Sequence, residues 1–267
     1  MLSVWITGAS SGIGEACAYR YAAQGARLIL TSSSAERLEK VAEKCRAAGA
    51  TQVVVLPYDF SSNDDIEALV QSAWDATEGI DIVMLNAGIS QRTNVEDTSM
   101  EMVRKIMEVN YFAPVAIAKD LLPRMLSTGG GKIAVTTSIA GRFGFPLRCG
   151  YSSSKFALYG FFETLQAEYY DRGIRVTLVC PGRVQTNISR YALDKGGKPH
   201  GVMDPGQADG MTAEAAARVI TRAIAKEKGI SILDKILEGI SEEELRAFLT
   251  TLRKLSTNMT VSGPEDQ

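Results

Sequence analysis

From residue 2 to residue 233, short apolar, β-branched runs alternate with longer segments that repeat an apolar residue at three- and four-residue spacing. The runs predict strands at 2–7, 27–31, 52–56, 82–86, 132–137, 175–180 and 230–233. The longer segments predict helices at 13–24, 35–48, 64–77, 99–126, 152–172 and 213–226. Alternating strand and helix is the pattern of repeated βαβ units, and nearly continuous apolar strands are those that helices cover on both faces. With right-handed crossovers, the expected fold class is α/β, a doubly wound parallel sheet of about seven strands.

No composition shift, repeat or low-complexity stretch divides the chain, so residues 1–256 read as a single domain. One segment stands apart. Residues 187–211 hold Gly196, Gly197, Pro199, Gly201, Pro205, Gly206 and Gly210, which interrupt any regular element and predict a long, mobile substrate loop. Further on, Ser241 and Glu244 form a capping-box pattern that predicts an amphipathic helix through Leu255, and residues 257–267 read as a frayed polar tail.

Composition narrows the function classes. The chain has 267 residues with 29 Lys+Arg against 31 Asp+Glu, so it lacks the positive field that nucleic acid or an anionic membrane would require. Cys17, Cys45, Cys149 and Cys180 lie far apart and the one histidine is His200, which leaves no metal site at usable spacing and suits free thiols in a reducing cytoplasm. No stretch reaches the roughly 20 apolar residues of a membrane span, and no basic leader precedes the first strand. The expectation is a cytoplasmic protein.

Candidate chemistry begins where the first strand ends. Thr7-Gly8-Ala9-Ser10-Ser11-Gly12-Ile13-Gly14 is a glycine-rich turn succeeded at once by a helix, the arrangement that offers free N–H groups and a positive dipole end to a pyrophosphate. Gly8 suits the tight turn, Gly12 the close approach of backbone to phosphate, and Gly14 close helix packing. The spacing, G-x-x-x-G-x-G, departs from the commoner G-x-G-x-x-G, and ordinary turns and helix caps use the same residues. The motif gains weight from residues at later strand ends. Asn86-Ala87-Gly88 ends the fourth strand, Asn110 lies in the long fourth helix, and Ser138 ends the fifth strand. Tyr151 and Lys155 open the fifth helix, and Pro181-Gly182 ends the sixth strand with Val184 and Thr186 beyond.

In these motifs and their order the chain resembles the short-chain dehydrogenase/reductase family over about residues 2–226, which implies a Rossmann-like fold. The resemblance implies a hydride transfer between a nicotinamide and a small-to-medium, lipophilic carbonyl or alcohol. Tyr151 would give or take the proton, Lys155 would lower its pKa and hold a ribose, Ser138 would bond the substrate oxygen, and Asn110 would support a relay water. Physical reasoning reaches the same place, because ligands of an open parallel sheet bind beyond the carboxyl ends of its strands. Tyr151 and Lys155, four apart, share one helix face. The rival reading is a catalytically idle nucleotide-binding sensor or scaffold, and the intact Ser138, Tyr151 and Lys155 set argues against it.

The expected cofactor site comprises Gly8, Ser10, Ser11, Gly12, Ile13, Gly14, Ser32, Ser33, Asp59, Asn86, Ala87, Gly88, Tyr151, Lys155, Pro181, Gly182, Val184 and Thr186. Ser32 and Ser33 stand where NAD enzymes commonly place an acid, so nothing repels a 2′-phosphate and NADP is favoured over NAD, with Arg37 able to add charge. Asp59 meets the adenine by family analogy or caps the turn before Ser61. Phe143, Phe145 and Leu147 suggest an apolar substrate pocket, whereas Arg142 and Arg148 suit an anionic group or simply solvent. The surplus of apolar positions in helix 99–126 needs a further partner; the family resemblance implies that it is a copy of the chain, in a homodimer or homotetramer, and the alternative is a monomer in which residues 187–211 or the tail helix cover it.

Overall fold

The computed structural model describes residues 1–62, 65–227 and 230–231. The predicted helix through Leu255 and the tail 257–267 lie outside the described residues. Strands β1 (Ser3–Thr7), β2 (Arg27–Thr31), β3 (Gln52–Val55), β4 (Ile82–Leu85), β5 (Gly131–Thr136), β6 (Ile174–Cys180) and β7 (Ile230–Ser231) form a seven-stranded sheet in the order β3-β2-β1-β4-β5-β6-β7. Every pairing is parallel. The chain reverses its direction of winding between β1 and β4, which opens a crevice at their carboxyl ends.

Successive strand side chains point to opposite faces, so each apolar run feeds two cores. Val4 and Ile6 of β1, Leu28 and Leu30 of β2, and Ile82 and Met84 of β4 pack on one face with helices α1 (Gly12–Ala22), α2 (Ala35–Ala47) and α8 (Ala213–Ala225). Trp5, Ile29, Val83 and Leu85 point the other way, toward α3 (Ile66–Ala76), α5 (Ala113–Ser127) and α6 (Cys149–Tyr169). Trp5 is fully buried, and its indole N–H donates to Thr31 Oγ1 at 2.9 Å, so the β1–β2 pair carries no orphaned donor there.

One expectation needs correction. The helix predicted over 99–126 divides into α4 (Met100–Met107), a π-helical turn at Glu108–Phe112, and α5. Periodicity cannot reveal this turn, in which Asn110 bonds outside its own helix. The segment 187–211 carries regular contacts that its glycines do not imply. It contains the one-turn helix α7 (Pro205–Ala208), and Leu193 bridges both Gln91 and Pro199. Its polar side chains find partners that composition does not show. Among the described residues, no helix is long and apolar enough to cross a membrane. Part of the apolar surplus on α4 and α5 faces outward: Met100 and Phe112 are exposed, whereas Met102, Ile106, Ile117 and Leu121 are buried.

Candidate active site

The turn from β1 into α1 is shaped by backbone. Gly8 and Gly12 have φ of +65° and +59°, a region in which side chains are strained. An added Cβ at Gly8 would lie 2.8 Å from Ala87 Cα, and one at Gly14 would lie 2.3 Å from the Gly8 carbonyl oxygen. The third glycine therefore packs its helix against the turn itself. Ser11, the N-cap of α1, makes no side-chain cap hydrogen bond, which leaves the first-turn N–H groups to a ligand. A dinucleotide pyrophosphate fits this cradle.

Asn86 links that turn to the centre of the sheet. Its Nδ2 donates to the carbonyls of Thr7 and Gly8, each at 3.3 Å, and its Oδ1 accepts from Thr136 Oγ1 at 3.1 Å. Thr7 Oγ1 accepts from the N–H groups of Asn86 and Ala87 at 2.9 and 3.1 Å. The carboxyl ends of β1, β4 and β5 are thus fastened together by side chains. A Cβ on Gly88 would lie 3.5 Å from Lys155 Nζ and 3.2 Å from Asn110 Oδ1, so the missing side chain leaves room where these groups meet.

Tyr151 and Lys155 stand one turn apart on α6, both buried, with the ammonium 5.8 Å from the tyrosine ring centroid. Lys155 Nζ donates to the Thr136 carbonyl at 2.7 Å. Burial lowers its pKa from 10.5 to about 8, because an ammonium away from water is disfavoured. Burial likewise pushes the Tyr151 phenol up, while the hydrogen bond with Ser138 and the charges of Arg148 and Arg92 pull it down. In this state burial prevails. Ser138 is itself buried, at the mouth of a 3-10 turn, and its Oγ accepts from Ala140 N–H at 3.1 Å.

Asn110, 1% exposed, spends its side chain on protein. Oδ1 accepts from Ile89 N–H at 2.8 Å, and Nδ2 donates to Ile89 O at 2.9 Å and to Ser154 Oγ at 3.0 Å. It therefore clasps the β4 loop to α6 from a π turn, a distortion that often marks a functional position. At the end of β2, Ser32 is buried and Ser33 is exposed, with the Arg37 guanidinium 6.0 Å from the Tyr191 ring. Asp59 Oδ1 accepts from Ser61 N–H at 2.9 Å, as a turn-capping acid would. The stretch from Pro181 and Gly182 onward brings Thr186 against Gly12, where an added Cβ would lie 2.9 Å from Thr186 Cγ2. Val184 pairs with Met211 across the next segment. Phe145 and Leu147 are exposed, while Arg142 stacks 3.7 Å from the Tyr159 ring centroid.

Sequence reasoning assigned no role to Gln91, Arg92, Thr7, Thr136 or Asp204. Gln91 is fully buried; its Oε1 accepts from Tyr151 N–H at 3.1 Å and its Nε2 donates to Thr93 Oγ1 at 2.9 Å. The signal available was position, since Gln91 and Arg92 come directly after the Asn86-Ala87-Gly88-Ile89-Ser90 strand end.

The sequence model of the short chain dehydrogenase family matches residues 3–196. The chain belongs to the short-chain dehydrogenase/reductase family. Dehydrogenase/reductase SDR family member 7B of Mus musculus is 36% identical over 228 residues, covering 84% of this chain and 71% of the relative. An alcohol dehydrogenase of Thermococcus sibiricus, solved with 5-hydroxy-NADP, superposes with a TM-score of 0.72 and 30% identity, over 85% of this chain and 91% of that one. A short-chain dehydrogenase/reductase of Burkholderia phymatum, solved with NAD, shares the fold over 100% of this chain and 98% of its own, with a TM-score of 0.82 and 22% identity. This short-chain dehydrogenase/reductase is an NAD(P)-dependent oxidoreductase acting on CH–OH and C=O groups.

Proposed function

We propose that this short-chain dehydrogenase/reductase interconverts a ketone or aldehyde and the matching alcohol, with NADP as the preferred cofactor and Tyr151 as the proton donor and acceptor. The observation that supports the reading is the meeting of the buried side chains of Tyr151, Ser138 and Lys155 beyond the carboxyl end of β5. When bound, the nicotinamide supplies or takes the hydride. Ser138 Oγ, already bonded to the phenol, orients the substrate oxygen beside it. Tyr151 then moves a proton to or from that oxygen, and a phenol that burial holds high in pKa is protonated and ready to donate. For the reverse direction, the Lys155 ammonium favours the phenolate. Lys155 and the β1–α1 cradle hold the two ends of the cofactor, and the Asn110 clasp keeps the β4 loop beside Lys155.

NADP preference is supported by the absence of an acid at Ser32 and Ser33 and by Arg37 one turn along α2. The exposed Ser33 is the better placed of the two serines for a 2′-phosphate, because Ser32 is buried. The thiols are free and the assembly we favour is a cytoplasmic homodimer or homotetramer paired through the α4–α5 face that exposes Met100 and Phe112. The test is loss of reduced-nicotinamide absorbance with a panel of ketones, aldehydes and alcohols, run with both cofactors. Tyr151→Phe should lower turnover by the ~10²–10⁴ typical of a lost general acid while cofactor binding survives. Near-normal turnover by that variant would overturn the assignment.

A further inference from the structure

Beside Tyr151 lies a cationic cluster that proton transfer to a plain carbonyl does not require. The Arg92 side chain is only 7% exposed. Its Nε donates to Asp204 Oδ1 at 3.3 Å, its Nη2 to Asp204 Oδ2, and its Nη1 to Ser90 Oγ and to the Gln91 carbonyl at 3.2 and 2.6 Å. Arg148, at the N-cap of α6, donates Nη2 to the same Asp204 Oδ2 at 2.8 Å. That is the one side-chain hydrogen bond of Arg148 among the described residues. Its side chain is 26% exposed, with the guanidinium 6.0 Å from the Phe145 ring centroid, and it stands three residues before Tyr151.

The charges around this cluster do not balance. Two guanidiniums meet one carboxylate in a partly desolvated place, and the neighbouring Arg183 and His200 add no anion. Asp204 is shared, so each guanidinium has only part of one carboxylate as its counter-charge. Burial and the Arg92 charge lower the pKa of the Arg148 guanidinium, and a further anion beside it would offset both. Both arginines also act on the Tyr151 phenol, which places them within electrostatic reach of the reacting oxygen. The anion already present is a carboxylate, which Arg92 grips with two nitrogens and Arg148 touches with one.

We infer that the substrate carries a carboxylate remote from its carbonyl, bound by the partly exposed Arg148 guanidinium beside Asp204 while the carbonyl lies at Tyr151. The substrate class is then an oxo acid or the corresponding hydroxy acid. The reacting carbonyl rests on the oxidoreductase reading above, and the anion rests on the arginine pair alone.

The experiment compares straight-chain oxo acids of increasing carboxyl-to-ketone spacing with their methyl esters, in the full chain with reduced cofactor. At the best spacing, kcat/KM for the acid should exceed that for the ester by about tenfold or more, the ratio expected of a charge-assisted hydrogen bond. Arg148→Gln should collapse that ratio, and Asp204→Asn should raise it by removing the competing negative charge. A binding arm reads the rise in melting temperature with each acid and ester in the absence of turnover. Acids should stabilise the wild type and not Arg148→Gln. If acids and esters turn over alike, or a phosphorylated ketone is preferred, or both variants change acid and ester equally, the carboxylate inference fails and the oxidoreductase reading stands. If acids bind through Arg148 but no carbonyl consumes cofactor, the oxidoreductase reading fails and the anion site stands.

Discussion

Lys155→Met should make the protein more stable at neutral pH even as it removes activity. In the fold the lysine is 3% exposed, and its pKa is lowered from 10.5 to about 8. Below pH 8 the folded protein carries the full penalty of a buried charge; between pH 8 and 10.5 the folded lysine has lost its proton while the unfolded one has not. The unfolded state then binds more protons, so stability rises with pH across that window and the penalty has vanished above it. At about 1.4 kcal/mol per pH unit, the interval from 10.5 to about 8 corresponds to ~3 kcal/mol. Against this stands the hydrogen bond to the Thr136 carbonyl, whose loss leaves a buried acceptor unmatched at a cost of about 1–3 kcal/mol. The two nearly offset at worst, and the lysine penalty prevails where water reaches the carbonyl. Urea denaturation of both proteins at a series of pH values, without cofactor, measures the result. The wild type should gain about 3 kcal/mol between pH 8 and 10.5, and the variant should show no such rise. Parallel stability curves for the two proteins would refute the reasoning, because they would mean that Lys155 is no more costly to charge in the fold than outside it.

The remaining predictions concern the cofactor, the turn and the assembly. Ser33→Asp should weaken NADPH more than NADH and reverse their order, as read by cofactor fluorescence titration; an unmodified protein that prefers NADH would count against NADP. Gly14→Ala should destabilise despite the ~1 kcal/mol that alanine normally gains over glycine in a helix, because the new methyl would sit 2.3 Å from the Gly8 carbonyl oxygen. Its thermal midpoint should fall and its cofactor affinity with it. Light scattering at micromolar concentration should give the mass of two or four chains, and Phe112→Glu should shift it toward one; a single-chain mass for the wild type would exclude the paired helices.

Strand and helix were readable because burial on both faces leaves an unambiguous mark: in β1 alone, Val4 and Ile6 serve one core and Trp5 the other, so no polar residue interrupts the run. Seven predicted strands correspond to the seven observed, and within the described residues their ends differ by no more than one residue. What periodicity could not carry was chemistry between distant loops. The side chain of Asn110, in the π turn, bonds the Ile89 backbone and Ser154, both far away in sequence. The same holds for Asp204, whose partners Arg92 and Arg148 come from other loops, so a segment dense in glycine and proline is nonetheless pinned at its polar residues. Local sequence reports local preference, and these contacts are not local.

That non-locality explains how a site assembled from loops can hold a phenol and an amine steady. α6 begins without a side-chain cap of its own: Arg148 makes no cap hydrogen bond. The Tyr151 N–H is accepted instead by Gln91, from the loop after β4, and Gly150 leaves the space Gln91 occupies, since a Cβ there would lie 2.8 Å from Gln91 Oε1. The loop that caps α6 is therefore the loop whose Gly88 makes room for Lys155, whose Ile89 is clasped by Asn110 and whose Arg92 reaches Asp204. A buried amide with satisfied partners is rigid, because every displacement breaks a hydrogen bond that water cannot replace. Tyr151, the proton donor we propose, is thus anchored to the loop after β4 as well as to its own helix, and the β1–α1 turn is tied to β4 through Asn86. One strand end sets the distance between the two halves of the reaction.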